Sequence, residues 1–237
     1  MSNYLVDGAD LTSIANAIRT KGGTSAQLAF PQGFVDAVEA IETGGGYVAE
    51  DFFNQALPTG PIVYNGAPPS SNSVTYFFYR SGITKIYLPN WNDTQNRMNA
   101  FANMSNLEYA VLPKNTKLYN NAFSNCPKLK AVDFLGSTGT GFAGSSYVFL
   151  SDNAFKTLVI RLTSGVCRLN STTVFNSSPF ASGKAGGTLY VPQALIESYQ
   201  TATNWSTILG YATNHILPIE GSIYETQYVD GTPIPTT

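Results

Sequence analysis

His215 is the one histidine in this 237-residue chain, and no group of His, Cys, Asp and Glu recurs at the spacing of a metal site. A lone histidine near a C-terminal strand reads as structural. Asp133 and Asp152 would be the carboxylates for acid and base work on a glycan, but nothing in the sequence brings them together. Gly136 to Gly144 is glycine-rich yet lacks the Lys-Ser/Thr ending of a phosphate loop, so it reads as a long surface loop. Cys126 and Cys167 read as buried thiols, with pairing left open. Nucleophile, base and orienter are never supplied as a set, so the chain is expected to be no enzyme and to need no cofactor or metal.

Binding is the chemistry that the pattern supports. Aligned as strands, 85–88, 109–112, 131–134, 157–160 and 188–191 point Ile86, Leu88, Ala110, Leu112, Val132, Phe134, Leu158, Ile160, Leu189 and Val191 inward. Tyr87, Val111, Asp133, Val159 and Tyr190 then form an outward row, with Lys85 and Tyr109 on the same face one step earlier. Outward tyrosines suit stacking on sugars or packing on protein. An equally weighted alternative is that the N-terminal region or another subunit covers this row.

The strands are positioned by a repeat. Asn99 to Pro113 overlays Asn121 to Leu135 at an offset of 22, matching Phe101 to Phe123, Asn103 to Asn125 and Leu107 to Leu129. Phe101, Met104 and Leu107, then Phe123, Cys126 and Leu129, fall every third residue on one side of a tight turn. The next stretch changes to period two. Each unit is therefore a turn leading into a strand, and stacked units form a solenoid with a parallel ladder. Asn153-Ala-Phe155 reopens the pattern, but Leu158 follows too soon for a full turn, so 136–157 has no assigned conformation.

The core A-F-x-x-C-x-x-L of the second unit resembles the BspA-like leucine-rich repeats of bacterial surface antigens, with Met104 replacing Cys126 in the first unit. Thr188 to Pro192 followed by Leu195 to Trp205 resembles the strand and helix that close such arrays, reading Y-V-P then Y-x-x-A-x-N-W. The fold class expected is α+β: a small N-terminal helical module, a short leucine-rich-repeat-like solenoid with a parallel β ladder, and a C-terminal strand-helix closing unit. The domains expected are 1–43, a Gly/Pro/Ser-rich linker over 44–73 carrying at most short strands, the repeats over 74–219 and a tail over 220–237.

Before the repeats, Leu11, Ile14, Ala15 and Ile18 lie at helical spacing behind Asp10, and Phe34, Val35, Val38 and Ile41 do so behind Pro31. Two such helices cannot bury their apolar faces in a free unit of this size, so Leu11, Ile14, Ile18, Phe30, Phe34 and Val38 are candidates for attachment or self-association. Leu11 to Val38 resembles a module near the start of tail-associated proteins of phages from Gram-positive hosts. That resemblance implies a virion tail fibre, receptor-binding or baseplate protein. Its partners would be other tail proteins and a host cell-surface glycan or protein, with homo-oligomerisation as a trimer.

Only 12% of residues are charged and the net charge is −2, which argues against nucleic acid and anionic membrane as partners. Met1 to Asp10 does not read as a secretory signal, so assembly in the host cytoplasm is expected. The alternatives are a bacterial cell-surface adhesin of the same repeat class and a purely architectural virion protein.

Overall fold

The computed structural model describes residues 12–17, 46–47, 59–64, 82–91, 101–142 and 147–235. The chain divides into two units, Met1–Gly46 and Tyr47–Thr237. In the first, helix α1 spans 12–17 and buries Ala15 while leaving Ile14 47% exposed. The candidates Leu11, Ile18, Phe30, Phe34 and Val38 lie outside the described residues, as do the first residues of the expected repeat domain, 74–81.

The second unit is built on one sheet whose strands follow chain order. After the two-residue β1 (Gly46–Tyr47) come β2 (Thr59–Tyr64), β3 (Gly82–Tyr87), β4 (Tyr109–Leu112), β5 (Ala131–Phe134), β6 (Thr157–Ile160), β7 (Thr188–Val191) and β8 (His215–Pro218). From β2 to β8 every pairing is parallel. The architecture is that of a leucine-rich-repeat-like solenoid with a few short helices. Register runs Tyr87, Val111, Asp133, Val159, Tyr190, Leu217 along one row and Ile86, Ala110, Val132, Leu158, Leu189, Ile216 along the next, as the period-two pattern requires.

β2 is a short strand, as the linker stretch allowed, but it joins the ladder beside β3. Gly60 and Pro61 read as breakers, but they sit at a register shift, where an interrupted ladder tolerates them. Beyond the shift Ile62 and Tyr64 point into the core, with the Tyr64 ring edge-on to Trp91 at 6.0 Å.

Between strands, turns pile phenylalanines into a column. Phe101, Phe123, Phe149 and Phe175 stack at centroid distances of 4.9, 5.8 and 5.5 Å, and all are buried. Full burial of one such ring contributes roughly 1.5–3 kcal/mol. The backbone rungs hold the turns in register: Phe101 N–H donates to Ala122 O, Phe123 N–H to Val148 O and Phe149 N–H to Val174 O, at 2.9–3.0 Å. Phe149 thus occupies the place that the Asn-Ala-Phe triplet had assigned to Phe155. Phe155 instead follows Leu107 and Leu129, each donating its N–H three residues back, to Asp152, Met104 and Cys126 respectively. The unit has lengthened from 22 to 26 residues, so a triplet alignment slips.

Two polar columns flank the phenylalanines, and both contain left-handed backbone. One is Asn103, Asn125, Ser151 and Ser177, with φ of 61, 61, 65 and 63°. The other contains Asn121 and Tyr147, at 57 and 62°, followed by Thr173. Asn reaches this conformation readily because its short amide bonds locally. A third side of the stack comes from Leu118, Phe142 and Leu169, joined by parallel bridges. Gly136, Gly141 and Phe142 are buried while 138–140 are exposed, so the described part of the glycine-rich stretch, 136–142, is a surface loop anchored in the core at both ends. Gly141 is needed there, since a Cβ would overlap the Cys167 sulfur.

The closing unit comprises β7, a 3-10 turn at Gln193–Leu195, α2 (Ile196–Thr201) and α3 (Trp205–Leu209). The expected single helix breaks at Asn204, whose φ is 65° and whose Nδ2 donates to Leu169 O at 2.8 Å. Cys167 N–H donates to the Tyr199 hydroxyl at 3.0 Å, and Trp205 Nε1 donates to Cys167 O at 2.7 Å. Tyr199, Asn204 and Trp205 therefore tie the end of the solenoid to its last turn. Both cysteines are free and buried, and burial raises the Cys167 thiol to about 12.

Candidate binding faces

The outward row of the ladder is covered, as one of the two expected readings had it, but by the C-terminal segment of the same chain and not by the N-terminal region or another subunit. Val111, Asp133 and Val159 are fully buried, because residues 219–234 fold back across them. Ile219, Tyr228 and Val229 pack with Val111, Ala131 and Val159, and Tyr87, Tyr109, Tyr190, Tyr224 and Ile234 close the edges of this second core. The expected tail is thus a strap. It is pinned as a small hairpin by Tyr228 N–H donating to Thr232 O and Ile234 N–H donating to Thr226 O.

An ion pair fastens strap to ladder. Arg161, just after β6, donates from Nε and Nη2 to the two oxygens of Asp133, both at 2.7 Å. The same guanidinium donates to Tyr224 O at 2.9 Å and Gln227 O at 3.1 Å, and Val229 N–H donates to Asp133 Oδ2 at 3.3 Å. A fork of five donors matches this set of carboxylate and carbonyl acceptors, which a lysine would not. Burial raises the Asp133 carboxyl to about 6 and Arg161 pulls the other way, so the pair is charged at neutral pH. The Arg161 cation lies 4.9 Å from the Tyr228 ring centroid.

The ladder tyrosines are engaged with the same strap. Tyr87 meets Tyr228 at 5.7 Å and Tyr190 meets Tyr224 edge-on at 4.7 Å. Lys85 donates to Asp230 O at 3.2 Å and sits 5.3 Å from the Tyr109 ring. All seven ladder candidates therefore share one face, as their register predicted, but that face is an interior or half-buried seam and not an open strip. Alternation along the strands could not reveal this, since the covering segment has no repeat pattern. The closest hint was Asp133 with Arg161, one charge of each sign beside an apolar row.

Residues 68–156 match the BspA type leucine-rich repeat region, in six copies. Neither a curated protein nor a solved structure matches the chain.

Within the BspA-type repeats, one core position departs from the rest. Met104 and Cys126 are followed, 26 residues on, by Asp152, fully buried in the same row. Its Oδ1 accepts the Cys126 N–H at 2.7 Å, while Oδ2 has no hydrogen-bond partner in the structure. Burial raises this carboxyl to about 9, so it is protonated at neutral pH. Asp133 and Asp152 each have their own partners and form no acid pair. Cys126 donates from its thiol to Phe101 O at 3.2 Å, and its titration is raised by burial and by Asp152.

On the exposed side of the BspA-type repeats, polar rungs repeat every 22 residues: Asn125 Nδ2 to Asn103 Oδ1 at 3.1 Å, Lys128 to Asn106 at 2.9 Å and Lys130 to Glu108 at 2.8 Å. Among the described residues no group of three His, Cys, Asp or Glu is placed to hold a metal ion, and no helix is long and apolar enough to cross a membrane.

Proposed function

We propose that this protein is a non-enzymatic, adhesive component of a phage tail that binds a host cell-surface glycan or protein through its repeats. The observation that carries this reading is the BspA-type repeat stack, a continuous core whose sides are faced with amide, hydroxyl and aromatic groups and few charges. Repeat stacks of this kind offer long surfaces to partners. The virion setting is supported by the resemblance of Leu11 to Val38 to the tail-protein module, and the same stretch is proposed to join copies of the chain, as a trimer.

The sealed outer face of the ladder favours a second reading, in which the protein is purely architectural within the tail. Labelled full-length protein applied to Gram-positive cells and to their extracted wall glycans separates the two. Saturable binding is expected, and its absence together with incorporation into virions would support the architectural role. Antibody labelling should decorate the tail of intact particles. Recovery from the bacterial wall fraction instead would overturn the phage assignment in favour of a bacterial adhesin. Light scattering of the full chain should give a mass about three times that of one copy, and a monomer mass would overturn the trimer.

A further inference from the structure

The geometry points to the turn side of the repeats around Tyr147 as a contact site for an uncharged oligosaccharide. This rests on the reading of the protein as a glycan binder and names the surface that does the binding. Tyr147 is 40% exposed and is the one aromatic ring among the large exposed apolar residues of the described chain. It also stands at φ 62°, in a column where the preceding unit has Asn121 at 57°. An aromatic side chain in left-handed backbone is an outlier, and such outliers concentrate at sites of function.

The backbone that carries the ring is fixed on both sides. Tyr147 N–H donates to Thr173 O at 3.0 Å, and Asn125 N–H donates to Leu150 O at 2.8 Å, so the turn that carries Tyr147 is fixed to the turns before and after it. Asn121 and Thr173 adjoin Tyr147 in its own column, and Asn103, Asn125, Ser151 and Ser177 form the other. Neither column contains Asp, Glu, Lys or Arg.

An exposed ring offers a face to the C–H groups of a sugar, and flanking amides and hydroxyls both donate to and accept from its hydroxyls. Within the two columns no charged side chain and no arginine fork is present, and the nearby Lys128 and Lys130 are bonded to Asn106 and Glu108, which argues against phosphate or uronate. A protein partner would want a broader apolar patch than a single ring supplies. The tyrosines of the ladder are occupied by the strap, which leaves Tyr147 as the most exposed aromatic ring among the described residues.

The test uses the full chain on an immobilised panel of neutral hexose and N-acetylhexosamine oligosaccharides. Wild-type protein is expected to bind, Tyr147→Phe to bind as wild type, and Tyr147→Asn to lose at least tenfold in affinity. Because Asn is the residue of the same column one unit earlier, Tyr147→Asn should also melt at the same temperature or higher. No binding by the wild type would overturn both this site and the glycan-binding reading. Equal binding by wild type and Tyr147→Asn would overturn this site alone. Binding to cells that protease treatment removes and free oligosaccharide does not compete would also overturn it, by showing a protein partner.

Discussion

On the inner face of the sheet, Ala110, Leu112, Val132, Phe134, Leu158 and Ile160 pack against the turns of their own and adjacent units; on the outer face, Val111, Ala131 and Val159 pack under a strap that begins at Ile219. The inner core is made by contacts about one repeat apart, all apolar but for positions such as Asp152. The outer core is made by contacts such as Asp133 to Val229, 96 residues apart, and needs a buried ion pair to orient it. A periodic sequence can seal one face of a solenoid unaided, because each unit brings its own cover. The other face requires a segment outside the period.

The largest effect should come from breaking the inner face. Leu112→Asp sets a charge between stacked strands where neither water nor a cation can reach it, and should abolish the cooperative melt seen by circular dichroism. A retained sharp transition would show that the ladder does not depend on that contact.

Next comes the latch of the outer face. Asp133→Ala leaves the Arg161 guanidinium, only 16% exposed, without its carboxylate, and should cost about 3–5 kcal/mol in urea unfolding. Amide exchange of 222–234 should accelerate more than that of the inner strands. Replacing both partners, as Asp133→Leu with Arg161→Met, should recover much of the loss. Uniform acceleration across the sheet would mean that the two faces are one cooperative unit.

A subtler effect separates the faces by pH. Burial raises both Asp152, to about 9, and Asp133, to about 6, above the ordinary value of 3.8, so between those values the folded chain holds more protons than the unfolded one. Their contribution is therefore fully present below about pH 4 and is lost as pH rises, first through 6 and then through 9. Each group contributes a slope of at most about 1.4 kcal/mol per pH unit. Asp152→Asn should flatten the decline between pH 6 and 9 and reduce it by about half between pH 4 and 6, where Asp133 alone would still contribute, as read from melting temperatures across that range. A wild-type stability that rises from pH 5 to 9 would contradict the burial of both carboxyls.

The smallest effect belongs to the exposed rungs. Glu108→Gln removes the ion pair with Lys130 at the surface, and the unfolding midpoint should stay within error of wild type, at low salt as well as high. A clear drop would make the polar rungs part of what holds the units together.

Phe101 and Phe123, the alternation of β4 and β5, and the closing Tyr199-x-x-Ala-x-Asn-Trp205 were legible because each is a local pattern tied to the geometry of one unit. The place of Phe149 was also present in the sequence: Leu158 pairs with Val132, and carrying that 26-residue offset back places Phe149 on Phe123. β2 was obscured by Pro61, whose breaking tendency the register shift absorbs. The sequence by itself determined the inward and outward sides of every repeat strand, since side-chain direction alternates wherever a strand forms. Only the tertiary structure decided that the outward side would be closed, because the strap from Ile219 to Ile234 has no period to betray its target and Arg161 finds both Asp133 and the strap carbonyls only once the ladder exists.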